Sequence, residues 1–147
     1  MSAQENKELV RRILEEYNAI KGDAAKARAW VDRSYSPESV THAPISGDMN
    51  FEQIKQYHAA QVGALTPHYT VKNVIAEGDV VVSQFTLNAT HQGTYMGIPA
   101  TGKKMQVEGA MVIKVGDNKM QELWLYVDTL GMMRQLGAIP TPPAPAK

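Results

Sequence analysis

A chain of 147 residues is the size of one domain, and 44% hydrophobic with 20% charged residues is ordinary for a globular protein that holds a real core. Fifteen basic residues balance fifteen acidic ones, so no positive field gathers phosphates and nucleic acid is not an expected partner. Cysteine is absent, which excludes disulfides and thiolate chemistry. No apolar run reaches the roughly eighteen residues of a membrane span, so a cytoplasmic protein without a membrane partner is expected.

The N-terminal MSAQENKELVRRILEE is charged throughout and lacks the apolar block of a signal peptide. Leu9, Val10, Ile13, Leu14, Tyr17 and Ile20 recur at helical spacing, which predicts an amphipathic helix ending near Lys21-Gly22. A shorter helix, Ala24 to Val31, follows Asp23 as its N-cap. Tyr35-Ser36-Pro37-Glu38 then breaks the pattern, and Ser39 to His42 reads as a short extended piece. Phe51, Ile54, Tyr57, His58, Gln61, Val62 and Leu65 mark a third helix, stopped at Thr66-Pro67.

From Tyr69 onward the period changes to two. YTVKNVIAEGD, VVVSQFTLNATHQG, KMQVEGAMVIKVGDNK and MQELWLYVD read as four strands, with tight turns at Glu77-Gly78-Asp79 and Gly116-Asp117-Asn118. A last short helix, Thr129 to Leu136, is closed by Gly137 and then Pro140. Helices first and antiparallel hairpins after predict an α+β fold, with a sheet packed on helices along one face. That domain covers 1–139, and the Pro/Ala-rich residues 140–147 read as an extended tail.

Residues 97–104, GIPATGKK, fall one letter short of the phosphate-cradling G-x-x-x-x-G-K-[ST]. The next residues are MQVEGAMVIKV, in which Met105, Val107, Met111, Ile113 and Val115 alternate as in a strand. A phosphate site needs a helix N-terminus there. Pro99 also removes a backbone N–H from the would-be cradle. GTYMGIPATGKK is therefore a long hairpin connection, whose apolar tip of Tyr95, Met96 and Ile98 could lean over an opening as a lid.

NKELVRRILEEYNAIKGD, AEGDVVVSQFTLNATHQGTYMGIPATGKKM and LWLYVDTLGMMRQLGAIP together resemble the SnoaL-like polyketide cyclase family, a branch of the nuclear transport factor 2-like, or ketosteroid-isomerase-like, fold. That family's hairpin commonly reads G-I-P-P-T-G-K; here Ala100 replaces the second proline. Its closing W-x-x-x-D and Q-L-G correspond to Trp124, Asp128 and Gln135-Leu136-Gly137. The resemblance implies a strongly curved sheet wrapped on helices into a cone, a pocket at the open end, and homodimerisation through the sheet. It also implies that Asp128 is the acid–base group of an intramolecular aldol closure, on a hydrophobic polyketide-like substrate and without cofactor or metal.

The residues themselves leave Asp128 open between two roles. Met120, Glu122, Trp124, Tyr126 and Asp128 share one strand face, which is expected to be enclosed, while Leu123, Leu125 and Val127 share the other. A carboxyl group beside Trp124 and Tyr126 there would be poorly solvated and suited to proton transfer. Asp128 also directly precedes the last helix, where it would serve as N-cap. Trp124, Tyr126, Tyr95, Met96 and Tyr17 are the candidate substrate-binding side chains.

Four histidines, 42, 58, 68 and 91, lack metal-ligand spacing, so no metal site is expected. His42, after the second helix, and His91, at the hairpin mouth, are candidates to polarise a carbonyl or shuttle a proton. His58 and His68 read as helix-face and loop residues. Glu108 reads as solvated. Two other functions share the fold. One is an epoxide hydrolase, which uses an aspartate–arginine–aspartate set that finds no strand arginine here. The other is a dimeric binding protein without turnover.

Overall fold

Ser2 starts the first helix. Its Oγ accepts from the Glu5 backbone N–H while Glu5 accepts from the Ser2 N–H, a reciprocal cap on α1 (Ala3–Asn18). Leu9, Val10, Ile13, Leu14 and Tyr17 form its buried stripe. Asp23 caps α2 (Ala24–Ser34) by accepting from Lys26 N–H, and this helix runs three residues past the expected end, directly into β1 (Tyr35–Ala43). After the short β2 (Gly47–Met49), Asn50 and Gln53 make a second reciprocal cap on α3 (Phe51–Leu65). That helix ends where Thr66 turns left-handed, φ 42°, ahead of Pro67. The structure, a computed structural model, describes residues 2–140; the tail expected at 140–147 lies outside them but for Pro140.

The four expected strands form as β3 (His68–Glu77), β4 (Val80–Thr90), β5 (Lys104–Gly116) and β6 (Lys119–Val127), followed by α4 (Thr129–Gln135). With β1 and β2 they make one six-stranded sheet in the order β2-β1-β6-β5-β4-β3. Every pairing is antiparallel except β1 with β6, which is parallel. The expected short extended piece at Ser39–His42 is thus part of a nine-residue strand. Its partner is the last strand, about eighty residues later, and no local signal announces such a pairing.

The sheet is curved and unclosed, and the three long helices fill its inner face. Val81, Phe85, Leu87, Val107, Met111 and Ile113 point into this core with Val10, Ile13, Ile54, Val62 and Leu65. Gly109, inside β5, allows a close approach. A Cβ there would lie 2.8 Å from Phe85 Cζ and 2.7 Å from the Tyr126 carbonyl oxygen, so the Phe85 ring packs where a side chain would stand.

One irregularity reverses an expectation. Lys114 pairs with Glu122 but Val115 with Met120, which leaves Gln121 as an extra residue on β6. A one-residue slip exchanges the two faces of a strand. Met120 is buried before the bulge; after it the odd positions Leu123, Leu125 and Val127 turn inward. Tyr126 stands 59% exposed. The enclosed face expected at Trp124, Tyr126 and Asp128 is therefore the outer face of the sheet.

Candidate functional site

Between the helices and the inner sheet face lie two adjoining chambers. The inner one is walled by α1, α2, α3 and the middle of the sheet, with Leu14, Tyr17, Trp30, Tyr35, Thr41, Tyr57, His58, Tyr69, Met111 and Leu123 among its lining. The outer one opens under the β1–β2 connection, Pro44-Ile45-Ser46, and under Tyr95 of the β4–β5 hairpin, with Gln61, Val127 and Met132 on its walls. Ala43, Tyr57, Tyr69 and Leu125 belong to both and form the partition. The voids are small, about 30 and 20 Å³. Each would hold one or two waters, against roughly 300 Å³ or more for a ligand site. Neither void holds a ring-sized ligand unless the partition and the covering loops part.

His58 stands at the centre of the inner chamber. It projects from the buried stripe of α3, and the rings of Tyr17, Trp30, Tyr35 and Tyr57 surround it with centroids 5.5, 5.1, 6.1 and 5.2 Å away. Burial pushes its pKa down to about 3, so the imidazole is neutral at any physiological pH. Burial likewise pushes the hydroxyls of Tyr17, Tyr35 and Tyr69 above the ordinary tyrosine range, so they stay protonated. The chamber is uncharged throughout. Gln61, on the wall of the outer chamber, donates to the Tyr57 hydroxyl at 3.0 Å.

Of the residues singled out from sequence, Tyr17 lines the inner chamber and Tyr95 the outer one. Met96 does not join them: it is 40% exposed at the hairpin tip, where it and Gly97 take the positive φ values, 53° and 75°, of a tight turn closed by the Tyr95–Ile98 pair. Trp124 and Tyr126 lie on the outer sheet face with Val80, Val112 and Lys114.

Asp128 is exposed and lines neither chamber. Its carboxylate accepts from the Gly131 N–H at 2.8 Å as the N-cap of α4, and it stands next to Val127 at the rim of the outer chamber. His42 also faces away, because Thr41 and Ala43 take the inward positions of β1. Its Nδ1 meets Asp48 and its Nε2 meets Glu122, both at 2.7 Å.

His91 is fully buried but borders neither chamber. Its Nδ1 accepts from the Thr101 N–H at 3.3 Å and lies 3.0 Å from Thr101 Oγ1, and its backbone bonds to Gly102 and Lys103. It ties the GIPATGKK connection back onto β4. Glu108 pairs on the surface with Lys72 at 2.9 Å. Among the described residues no group of three His, Asp or Glu converges as a metal site. No helix there is long and apolar enough to cross a membrane.

The expected set Asp128, His42 and His91 is therefore not brought together, and His58, Tyr35, Thr41, Tyr57 and Gln61 are. A sequence signal for them existed. His58 and Gln61 sit among Ile54, Val62 and Leu65 on the apolar stripe of α3, where a polar side chain must be buried.

A family model of the SnoaL-like polyketide cyclases matches residues 8–136. The aklanonic acid methyl ester cyclase DauD of Streptomyces sp. (strain C5) is 31% identical over 143 residues, covering 92% of this chain and 84% of the relative. DnrD of Streptomyces peucetius, with the same activity in its name, is 31% identical over 144 residues, covering 92% and 93%. Among solved structures, a protein of Jannaschia sp. CCS1 described as a SnoaL-like polyketide cyclase matches with a TM-score of 0.81 at 24% identity, over 94% of this chain and 95% of its own. AclR of Streptomyces galilaeus, described as a hydroxylase, matches at 0.76 and 24% identity, over 95% and 100%. Such structural likeness speaks for the fold alone, which carries more than one chemistry.

Proposed function

The chain belongs to the SnoaL-like polyketide cyclase family, and from that premise we propose that it closes a ring in an uncharged polyketide ester by moving protons, with no cofactor. A base takes a proton from the carbon beside a carbonyl. The resulting enolate carbon bonds to a second carbonyl carbon of the same molecule, and the new alkoxide takes a proton to become a hydroxyl. Substrate and product are isomers. Only a proton carrier and polarising donors are required.

The observation that carries this reading is the uncharged aromatic chamber around His58, which suits a flat apolar ring system bearing a few oxygens. The two curated relatives act, by their names, on aklanonic acid methyl ester, and an ester of that class is the substrate we assign. Asp128 is the proton carrier in this reading, acting on the end of the substrate that projects past Val127 at the rim. Its Oδ1 is occupied by Gly131, and among the described residues Oδ2 has no hydrogen-bond partner. The rival, a binding protein without turnover, draws support from that same occupied Oδ1.

Incubation with aklanonic acid methyl ester, followed by mass spectrometry and chromatography of the product, decides between them. Ring closure by the wild type that falls at least about 100-fold in Asp128→Asn, with folding intact, is the expected result. Binding without closure would leave the rival.

We also propose that two copies pair through the outer sheet face. Ile75, Val82, Val112 and Trp124 are successive cross-strand partners and make one apolar row, with Tyr126 and Val80 beside it. Ile75 and Tyr126 are 65% and 59% exposed. Exposed apolar rows of this kind are costly in water and suit a self-complementary contact. Sedimentation should give a dimer that Ile75→Glu with Tyr126→Lys converts to monomer. A monomeric wild type would sink the proposal.

A further inference from the structure

Buried polar atoms nearly always find a partner, yet three that border the inner chamber have none. They are the Tyr17 hydroxyl on α1, Thr41 Oγ1 on β1 and His58 Nδ1 on α3. Thr41 Oγ1 lies near enough to the Tyr35 hydroxyl to favour its ionised form, but the pair does not reach good hydrogen-bond geometry. The other ring nitrogen of His58 reaches that hydroxyl only at 3.5 Å, the outer limit of such a bond. Each orphan on its own destabilises the fold. The three residues that carry them, from three elements far apart in sequence, line one space whose remaining wall is mainly aromatic rings, methionines and leucines. Six other buried polar atoms among the described residues also lack a partner, but these are the three whose residues line the inner chamber.

We propose that Tyr17, Thr41 and His58 form an oxygen-reading edge, which hydrogen-bonds the carbonyl and hydroxyl oxygens along one side of a flat, uncharged ring system and so sets its orientation in the inner chamber. The inference rests on the chamber being the substrate site. Hydroxyls rotate to donate or accept, and a neutral imidazole does one at each nitrogen, so the three groups match a carbonyl next to a hydroxyl as well as two carbonyls. No lysine or arginine lines the chamber. A carboxylate there would lose its hydration with no counter-charge, and an ester would not. The ring cage holds the faces of the ligand; the three orphans choose which edge goes in.

The test uses two flat three-ring probes of nearly equal size, 1-hydroxyanthraquinone and anthracene. Binding is read by quenching of Trp30 in a Trp124→Phe background. The oxygenated probe should bind at least about 10-fold tighter than anthracene. Tyr17→Phe and Thr41→Val should each shrink that preference several-fold, leave anthracene binding unchanged, and keep or raise the thermal midpoint, because each removes an unpaired buried hydroxyl. His58→Gln keeps a neutral donor and should retain most of the preference, and His58→Leu should lose it.

Equal affinity for the two probes in the wild type would overturn the proposal. So would hydroxyl variants that melt earlier while keeping the preference, since the hydroxyls would then be serving the fold. The ester-closure assay run beside it separates the two readings. Preference without closure removes the cyclase reading and leaves this edge standing, and closure without preference does the reverse.

Discussion

The imidazole of His42 lies nearly flat on the indole of Trp124, ring centroids 5.2 Å apart and planes 23° from parallel, with Glu122 at one nitrogen and Asp48 at the other. Glu122 first, then Asp48, raises the His42 pKa above its ordinary value. A folded-state pKa above the unfolded one, about 6.5, favours the charged ring in the native state. The stabilisation is complete below pH about 6.5 and is lost as pH climbs through the raised value. Thermal midpoints taken from pH 6 to 9 should therefore fall across that window, and His42→Gln should flatten the fall. Asp48 is 74% exposed, so salt should weaken the effect. A slope unchanged in His42→Gln would show that the clamp contributes nothing. The clamp joins β2 to β6, and so pins the hairpin whose tip, Pro44–Ser46, covers the outer chamber.

Asp128 and Gly131 are fitted to each other. Oδ1 accepts from the Gly131 N–H, and a Cβ at Gly131 would collide with Oδ2. Asparagine caps a helix nearly as well as aspartate, and alanine costs about 1 kcal/mol. Urea unfolding should show Asp128→Asn close to wild type, Asp128→Ala down by about that amount, and Gly131→Ala down further. If closure activity survives Asp128→Asn at full rate, Asp128 is a cap and the proton travels by another group.

Gly109 and Phe85, cross-strand partners on β5 and β4, share one volume. Adding a Cβ meets Phe85 Cζ at 2.8 Å and a backbone carbonyl at 2.7 Å, and backbone cannot move aside as a side-chain tip can. Overpacking of this kind costs roughly 1–3 kcal/mol. Gly109→Ala should lose that much in denaturant unfolding, and Phe85→Leu added to it should recover only part. Full recovery would mean that the Tyr126 carbonyl is not the obstacle.

The helices are legible in the sequence because an apolar stripe marks α1 and α3 and Asp23 caps α2 locally, while the caps Ser2 with Glu5 and Asn50 with Gln53 emerge from the structure. The four strands from β3 to β6 are legible for the same reason. The β1–β6 pairing is not, since parallel partners so distant in sequence carry no shared local mark. The site is lost at Gln121. Alternation counted from Met120 puts Trp124, Tyr126 and Asp128 inside, and the bulge turns them out. His58 reads as one side chain on a helix face, because the cage that gives it meaning draws on α1, α2 and β1 as well.

Leu125 is the apolar stopper between the two chambers, since it alone of the shared wall comes from β6 and faces both voids beside Tyr57 and Tyr69. Truncation to alanine removes three carbons where the cavities meet. A buried Leu→Ala change costs roughly 2–5 kcal/mol, and Leu125, only half-buried, should fall at the lower end, about 2 kcal/mol. The joined space should admit three-ring probes sooner. Stopped-flow quenching should show the association rate of 1-hydroxyanthraquinone rising several-fold in Leu125→Ala, with the dissociation rate rising too as wall contacts are lost. An association rate unchanged by the truncation would place the entry barrier elsewhere, at the Pro44–Ser46 connection and the Tyr95 tip, and loosening that cover through His42→Gln should then speed entry where Leu125→Ala does not.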